Sequence, residues 1–263
     1  MPINTPLMNV MVGAARKAGK QLTRDFGEVE HLQASRKGPA DFVTQSDLRI
    51  EKILREELSR TRPHYGFVME EGGVVEGPDK THRWFIDPLD GTTNFIHGVP
   101  HCAISIGLER EGKIVAGLIY NPANDEIFSA ERGKGAFLNN RRIRVAARKR
   151  LADAIACCAL PHHGRGDLAL FRRDMAAIQD KVAGLRRFGA AALDLAYVAA
   201  GRFDVYWERG LSPWDFAAGV AIVREAGGFV TDLADNERSM EPGDVIAGNE
   251  ILHRQVLDLL KAA

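Results

Sequence analysis

The chain has 263 residues, 45% of them apolar and 27% charged, and its 35 basic and 35 acidic side chains leave a net charge of zero. This composition predicts a globular protein with a large core, and the charge balance gives no reason to expect binding to membranes or nucleic acids. No apolar run is long enough to cross a bilayer, and the N-terminus lacks the basic start and compact apolar segment of a secretion signal. Three cysteines do not suit a disulfide framework, so we expect a cytoplasmic protein.

Two helices and a hairpin are predicted for the first sixty residues. Apolar side chains recur at helical spacing over residues 5–26, and again over residues 46–60. Thr44 and Asp47 stand at the start of the second helix, with the spacing of a capping box in which Asp replaces Glu. The intervening residues 28–44 are expected to form a hairpin.

From residue 66 onward the pattern changes to short apolar runs bounded by Gly, Pro, Asn and charged residues, which indicates β-strands. The first half carries such runs at 66–69, 84–87, 103–109, 113–120, 126–130 and 135–138. The predicted elements of the second half are strand 154–160, helix 168–180, strand 185–188, helix 190–200, strand 204–207, helix 214–226, strands 228–232 and 245–248, and helix 250–261. This alternation favours a layered α/β fold, in which an N-terminal half (1–146) and a C-terminal half (147–263) form one catalytic unit.

One segment, WFIDPLDGTTNF at residues 84–95, carries most of the functional information. A short apolar run ends at Asp87, a proline expected to force a turn follows, and Asp90 comes three residues after Asp87. The residues from Gly91 to Asn94 have the composition of a tight loop that opens a helix. Two carboxylates at a strand end, beside exposed backbone N–H groups, suit divalent cations and a phosphate group together.

Three further groups of acids occupy strand ends or helix starts, where side chains converge on the rim of a sheet. Glu70 and Glu71 follow a predicted strand, Asp215 opens the predicted helix 214–226, and Asp47 lies in the first turn of an earlier helix. Each of these acids alone is typical of a helix cap or a solvated turn. Together, and in this order, they predict a cluster that divalent cations would stabilise.

Hydrolysis of a phosphate monoester is the reaction that such a cluster suits best. The uncatalysed reaction is very slow, and a pair of divalent ions can activate the attacking water and stabilise the leaving oxygen. Other phosphate chemistries fit poorly. The sequence has no P-loop motif, the spacing of Asp87 and Asp90 differs from that of phosphatases with an aspartyl nucleophile, and residues 87–98 end in Gly98 where an EF-hand needs Glu.

With Glu70-Glu71, WFIDPLDGTTNF and WDFAAGVAIVREAGG (214–228) taken together, the chain resembles the inositol monophosphatase family. This is the Mg²⁺-dependent, lithium-sensitive sugar-phosphatase superfamily, which also includes fructose-1,6-bisphosphatases and nucleotide 3′-phosphatases. The resemblance covers roughly residues 37–248. It implies a layered αβαβα sandwich, a homodimer, and two to three Mg²⁺ ions in each active site.

The resemblance also implies the metal ligands. Glu70, Asp87 and the backbone carbonyl of Leu89 would hold a first Mg²⁺. Asp87, Asp90 and Asp215 would hold a second, so that Asp87 bridges the two ions. A third, weaker ion would depend on Glu70 and on water.

Catalytic and phosphate-binding roles follow from the same resemblance. Thr92, paired with Asp47, would orient and deprotonate the attacking water, which Glu70 would help to activate through its metal ions. The backbone N–H groups of Gly91 and Thr92 would receive phosphate oxygens. Glu71 would lie behind the cluster and tune it.

Contacts to the hydroxyl groups of the substrate are implied for Asp90, for the segment that contains Gly189 and Ala191, and for Glu208, which stands seven residues before the acid of the C-terminal motif. A glutamate that accepts two vicinal hydroxyls suits inositol or another polyol. Ala190 replaces a threonine that some family members carry, which removes one possible hydroxyl contact.

We therefore expect a phosphatase of myo-inositol monophosphate or of a similar small phosphorylated polyol. Alternatives with the same chemistry are fructose 1,6-bisphosphate, 3′-phosphoadenosine 5′-phosphate and histidinol phosphate. A bisphosphate would need further cations, for which Arg165, Arg186 and Arg187 are candidates, and the loop 162–166 is a candidate rim over the substrate. The alternative from another class is a protein that keeps this fold but binds a macromolecular partner, through the basic residues 141–150.

Overall fold

The computed structural model describes residues 5–26, 34–38, 41–161, 166–237 and 240–263. The helices in these ranges are α1 (Pro6–Phe26), α2 (Gln45–Thr61), α3 (Thr92–Ile96), α4 (Leu168–Ile178), α5 (Ala191–Ala199), α6 (Pro213–Glu225) and α7 (Glu250–Ala262). The strands are β1 (Ala34–Gly38), β2 (Asp41–Thr44), β3 (Gly66–Met69), β4 (Gly73–Val75), β5 (His82–Asp90), β6 (Ala103–Arg110), β7 (Lys113–Asn121), β8 (Glu126–Glu131), β9 (Gly135–Leu138), β10 (Arg141–Ile143), β11 (Ile155–Cys158), β12 (Gly184–Arg186), β13 (Val205–Leu211), β14 (Phe229–Thr231) and β15 (Gly243–Gly248). None of these helices is long and apolar enough to span a membrane.

Two sheets carry most of the strands. The larger sheet has the order β10-β9-β8-β7-β6-β5-β3-β4, in which β3 and β5 are parallel and the other neighbours are antiparallel. The smaller sheet has the order β12-β11-β13-β15-β14, with β12, β11 and β13 parallel. Strands β1 and β2 form the expected antiparallel hairpin, although residues 27–33 and 39–40 lie outside the described part of the chain.

Helices and sheets alternate in five layers. α1 and α2 cover one face of the larger sheet, α5 and α6 lie between the two sheets, and α7, with α4 against it, covers the far face of the smaller sheet. This arrangement confirms the predicted αβαβα sandwich. The strands of the two sheets fall on either side of residues 144–153 in the sequence, while the division into halves at residue 146 stays a prediction.

The two helices of the outer layer form because apolar side chains repeat at helical spacing on one face of each. Met11, Ala15 and Leu22 of α1 pack with Ile50 and Leu54 of α2 in one buried cluster. The capping box at the start of α2 is present, and the backbone N–H of Thr44 donates to Asp47 Oδ2 at 2.8 Å. These contacts confirm both predicted helices and fix Asp47 at the rim of the sheet.

Helix α6 lies directly on the larger sheet, and glycines permit this close approach. Gly107 of β6 and Gly117 of β7 are paired across the ladder. A Cβ atom on Gly117 would lie 2.3 Å from the carbonyl oxygen of Ala218, and one on Gly107 would lie 2.8 Å from the Cβ of Ala217. On the opposite side of the helix, a Cβ on Gly219 would lie 2.6 Å from the Cβ of Leu195. The position of α6 between sheet and helix is therefore set by backbone contact.

The structure differs from the sequence prediction at two kinds of place. Pro88 does not end the strand in a turn, because β5 continues to Asp90 with a register shift between Asp87 and Asp90. A proline lacks the N–H that a ladder needs, and a bulge accommodates it. Strands β4 and β10 were not predicted, since each has only three residues and lies at an edge of the sheet.

The contact between α6 and the sheet can be tested with Gly117→Ala. The added methyl group would collide with a backbone oxygen, so we expect the free energy of unfolding to fall by about 1–3 kcal/mol. Gly13→Ala is the control, because Gly13 lies in α1 with no heavy atom within 4 Å of the added carbon, and it should stabilise the protein by about 0.5–1 kcal/mol. Urea denaturation followed by circular dichroism measures both, and a Gly117→Ala variant as stable as the wild type would contradict the packing argument.

Candidate active site

The site begins where β5 leaves the core of the larger sheet. Asp87 is only 2% exposed, and its Oδ1 accepts a hydrogen bond from the backbone N–H of Leu89 at 2.9 Å. Leu89 is itself buried, and its carbonyl oxygen lies 3.0 Å from Thr92 Oγ1. The bulge at Pro88 thus places the carbonyl of Leu89 and the carboxylate of Asp87 in one short irregular stretch at the end of β5.

Thr92 and Asp47 lie within hydrogen-bonding distance of each other, although they come from different elements. Thr92 Oγ1 lies 3.3 Å from Asp47 Oδ1, and Asp47 Oδ2 accepts hydrogen bonds from Thr44. The pKa of Asp47 is raised to about 6, mainly by burial and also by the charge of Glu70, while the hydrogen bonds from Thr44 act to lower it. A carboxylate with this pKa can exchange a proton with a hydroxyl group near neutral pH.

Gly91 is required between Asp90 and Thr92. Its φ is +85°, a conformation that favours glycine. A Cβ atom there would lie 2.9 Å from the carbonyl oxygen of His101 and 3.1 Å from the Cβ of Ala190. The loop therefore packs against the chain that precedes α5, and any side chain at this position would separate the two.

Asp90 joins this loop to the central helix α5. Its Oδ1 accepts from the backbone N–H of Ala191 at 3.2 Å, and its Oδ2 accepts from that of Ala192 at 2.7 Å. The first residues of α5 have no capping side chain of their own, so Asp90 supplies the cap from a distant part of the sequence. The segment with Gly189 and Ala191, predicted to contact substrate, is thereby placed beside Asp90.

Glu208 lies in β13, next to a register shift in its pairing with β15. The hydroxyl of Tyr206 donates to Glu208 Oε2. The pKa of Glu208 is raised to about 8, mainly by burial and also by the charges of Asp215 and Asp194, while the hydrogen bond from Tyr206 and the charge of Arg187 act to lower it. Glu208 is therefore close to the acids of the site, and the guanidinium of Arg187 lies near it.

Asp215 is held at the start of α6 by a capping box. The backbone N–H of Ser212 donates to Asp215 Oδ2 at 2.8 Å. Because α6 rests on β6 and β7 through the glycine contacts described above, this helix start is brought to the end of β5. The charge of Asp215 accordingly raises the pKa of Asp87.

Glu70 and Glu71 follow β3, which runs parallel to β5 and ends at the same edge of the sheet. The backbone N–H of Glu70 donates to the carbonyl of Ile86 at 3.2 Å, and that of Glu71 donates to Glu51 Oε2 at 2.8 Å. A Cβ atom on Gly72 would lie 2.9 Å from Glu51 Oε1. Glu51, a buried acid of α2, thus anchors the loop that carries Glu70, and the sequence analysis did not identify it.

The acids of the site are close enough to affect one another's ionisation. The pKa of Asp87 is raised well above its ordinary value, first by burial and then by the charges of Glu70, Asp90 and Asp215. The pKa of Asp90 is also raised, first by burial and then by nearby acids that include Glu208 and Glu70. Oxygen donors crowded in this way fit hard divalent cations such as Mg²⁺. Within the described ranges, however, no three His, Cys, Asp or Glu side chains form a ready metal-binding group, so the individual ligands stay predictions.

Two further polar residues hold the loop against α5, and the sequence analysis missed both. Asn94 Nδ2 donates to the carbonyl oxygens of His101 and Phe188, each at 2.8 Å. His101 Nε2 lies 3.2 Å from Oδ1 of Asp194, a fully buried acid of α5. The signal that could have revealed Asp194 is its position as the one charged residue in the otherwise apolar sequence AALDLAYVA.

The remaining candidates have different outcomes. Residues 162–165, which include Arg165 and most of the candidate rim loop, lie outside the described residues. In the basic segment 141–150, Arg142 lies over the ring of Phe137, Arg148 pairs with Asp204 at 3.0 Å, and Arg150 pairs with Asp153 at 2.7 Å. Several cations of this segment are therefore engaged within the chain.

Comparisons with known proteins agree with this geometry. The sequence profile of the inositol monophosphatase family matches residues 3–263. An inositol-1-monophosphatase of Mesorhizobium japonicum is 57% identical over 255 residues, which cover 97% of this chain and 96% of the relative. Nus factor SuhB of Vibrio cholerae is 43% identical over 244 residues, covering 93% of this chain and 91% of that protein. The crystal structure of extragenic suppressor protein suhB from Bartonella henselae superimposes with a TM-score of 0.94 at 54% identity, covering 98% of this chain and 99% of that one.

A five-layer αβαβα fold with acids gathered at one edge of its larger sheet is the architecture of a phosphate monoester hydrolase. The chain belongs to the inositol monophosphatase family. It is an enzyme, a phosphoric monoester hydrolase that acts on a phosphorylated substrate, and its family uses metal ions.

The link between the catalytic loop and α5 can be tested with Asn94→Ala. Two carbonyl groups would lose their donor, so we expect the free energy of unfolding to fall by about 1 kcal/mol. The kcat/KM for a phosphate monoester should fall at least about 10-fold, because small misplacements near a reacting centre are costly. Thr93→Ala, at the exposed neighbouring position, serves as the control. Unchanged kcat/KM in Asn94→Ala would show that the link does not position the site.

Proposed function

We propose that the protein hydrolyses myo-inositol monophosphate, or a closely similar phosphorylated polyol, with Mg²⁺ as the cofactor. The observation that supports this most directly is the electrostatic coupling of Asp87 with Glu70, Asp90 and Asp215. These acids come from the residue that follows β3, from the end of β5 and from the start of α6, and the Thr92–Asp47 pair lies beside the end of β5.

The metal ligands that we propose are Glu70, Asp87, Asp90, Asp215 and the carbonyl oxygen of Leu89. When bound, divalent cations at such a site supply an activated water and stabilise the leaving oxygen. They would also offset the mutual repulsion and burial that raise the pKa of Asp87. Glu71 lies directly after Glu70 in the loop that Glu51 anchors, and its proposed role is to tune the cluster from behind.

Proton transfer is assigned to the Thr92–Asp47 pair. The hydroxyl of Thr92 would accept the proton of the attacking water as it passes its own proton to Asp47 Oδ1, 3.3 Å away. Asp47 is suited to this role because burial brings its pKa to about 6. The backbone N–H groups of Gly91 and Thr92 are proposed to bind phosphate oxygens.

Recognition of the polyol is assigned to Asp90, Glu208 and the segment from Gly189 to Ala191. Asp90 and this segment are already joined by the hydrogen bond to the N–H of Ala191. Glu208 has a fixed orientation, because the Tyr206 hydroxyl holds one of its oxygens. A rigid carboxylate can distinguish the arrangement of neighbouring hydroxyl groups on a ring.

A second candidate function rests on a named relative, Nus factor SuhB of Vibrio cholerae, at 43% identity. That name favours a role with a macromolecular partner, for this chain as an addition to phosphatase activity or in place of it. An assay of phosphate release from a panel of monoesters distinguishes the two. Release that depends on Mg²⁺ supports the phosphatase proposal, and no release from any monoester favours the binding role.

Inhibition by lithium, a homodimeric assembly and a cytoplasmic location are proposed from family membership alone. An inhibition titration with Li⁺ and analytical ultracentrifugation test the first two. Insensitivity to Li⁺ would count against a second metal site of the family type.

Asp87→Asn tests the metal site. Removal of the central carboxylate charge should lower kcat at least about 100-fold. This decrease is larger than the one that usually follows replacement of a residue that only orients a metal ligand. The change should also weaken the dependence of the remaining activity on Mg²⁺ concentration. Asp153→Asn is the control, since Asp153 is exposed and paired with Arg150. Near-normal turnover by Asp87→Asn, measured as phosphate released, would overturn the assignment.

Glu208→Gln tests substrate recognition. Glutamine keeps an oxygen for the Tyr206 hydroxyl but accepts fewer hydrogen bonds from a diol. We expect kcat/KM for inositol 1-phosphate to fall about 10- to 100-fold, in line with the loss of hydrogen bonds to a charged group. The kcat/KM for p-nitrophenyl phosphate, which has no diol, should change less than about threefold. Equal losses on both substrates would contradict a role in selectivity.

A further inference from the structure

A cavity lies at the opposite end of the larger sheet from the candidate active site. Its volume is about 690 Å³. At the end of β5 near the candidate active site, Asp87 pairs with Ser105 of β6. At the other end of β5, His82 pairs with Arg110 of β6. Lys113 of β7, which pairs with Arg110, lines the cavity. The C-terminal end of α6 also lines the cavity, whereas Asp215 stands at the N-terminal end of that helix. The full length of α6 therefore separates the two sites.

One side of this cavity is apolar. Ile114, Val115, Ala221 and Val230 form buried parts of its lining. The ring of Phe229 also lines it and is 46% exposed. A volume in this range, with an apolar wall and an accessible aromatic ring, is typical of sites for small organic molecules.

The other side of the cavity is cationic. Lys113, Arg132 and Arg224 line it together with two acids, Glu225 and Glu237. Glu225 is engaged elsewhere, because its carboxylate oxygens accept from the backbone N–H groups of Gly133 at 2.8 Å and Gly135 at 2.7 Å. Glu237 is largely exposed and lies 3.5 Å from Arg224, so this ion pair is weak in water and a ligand anion can compete for Arg224.

Arg132 and Arg224 approach each other closely enough to interact. The pKa of Arg224 is lowered first by burial and also by the positive charge of Arg132, while Glu237 opposes both. Two guanidinium groups at one wall, with one of them partly removed from water, favour an anion between or beside them.

From the apolar residues and the two guanidinium groups that line it, we propose that this cavity binds a small amphipathic anion. The ligand would have one aromatic or aliphatic ring against Phe229 and Val115, and one carboxylate, sulfonate or phosphate group against Arg132 and Arg224. This site is independent of the proposed phosphatase chemistry and shares no residue with it.

The probe for the test is 8-anilinonaphthalene-1-sulfonate, an aromatic sulfonate whose fluorescence rises in apolar surroundings. A fluorescence titration of the full chain should show saturable binding of one molecule per chain. Arg132→Gln should weaken this binding about 10-fold, as expected for loss of one charged hydrogen bond. Phe229→Ser should weaken it about threefold or more through loss of the ring contact. Arg132 and Phe229 are both exposed, so these variants should fold.

Lys134→Gln is the matched control, because Lys134 is an exposed cation two residues from Arg132 that does not line the cavity. Its affinity for the probe should match that of the wild type, and so should the affinity of Asp87→Asn. Absence of saturable binding, or equal affinity in Arg132→Gln and Lys134→Gln, would overturn the proposal. Loss of binding in Asp87→Asn with retention in Arg132→Gln would also overturn it, since the probe would then occupy the catalytic site.

Discussion

The close contact of helix α6 with the larger sheet is the constraint on which the rest of the structure depends. Gly107 and Gly117 let the helix backbone rest on two neighbouring strands, and Gly219 lets α5 approach from the other side. A helix held by backbone contact has little freedom to slide, because any shift brings backbone atoms into collision. The start of α6, with Asp215, is thereby fixed beside the end of β5, with Asp87. Acids that are more than a hundred residues apart in the sequence are thereby brought close enough for the charge of Asp215 to raise the pKa of Asp87.

A cluster of buried acids is unfavourable in itself, and helix starts help to support it. Asp47 and Asp215 each take part in a capping box, at α2 and α6, and Asp90 accepts from the first N–H groups of α5. The N-terminal end of a helix carries a partial positive charge and unpaired N–H donors, so each carboxylate gains stabilisation there. The ordinary role of these residues as caps does not exclude their proposed role at the site, since each carboxylate oxygen has more than one lone pair and can accept from a helix N–H while it contacts a second group.

Much of the fold could be predicted from the sequence, because local patterns determine it. Helical spacing of apolar residues identified α1 and α2, and short apolar runs identified the strands from β5 to β9. The acids of the site were found because they follow strands or open helices in a recognisable order. The sequence also predicts the tight loop after Asp90. At Pro88 the sequence predicts a turn, whereas the structure has a bulge within β5. A proline allows either, and the pairing of β5 with β6 on both sides of it decides the outcome.

Contacts between distant residues could not be predicted in this way. Nothing near Asp90 indicates that it caps a helix that begins 101 residues later. In the sequence, Glu51 is one of several acids on an amphipathic helix. In the folded chain it accepts a hydrogen bond from the backbone N–H of Glu71 and so holds the loop of Glu70 and Glu71. Asn94 and His101 likewise act through carbonyl groups and an acid that only the folded chain brings near. Such residues position the predicted site, and they depend on tertiary geometry that a single sequence does not encode locally.

The basic segment 141–150 illustrates how the folded chain changes the interpretation of a pattern. As a run of cations it suggested a surface for a macromolecular partner, but several of its groups serve the connection between the two sheets. The N–H of Val145 donates to the carbonyl of Ala226 at 3.2 Å, and Asn249 donates to the carbonyls of Ala146 and Arg148 at 3.0 and 2.8 Å. With Arg148 paired to the buried Asp204, this segment fixes the exit of β10 against the smaller sheet. A macromolecular partner that bound through Arg148 would have to compete with this ion pair to Asp204, so the internal contacts of the segment limit which of its cations could serve such a partner.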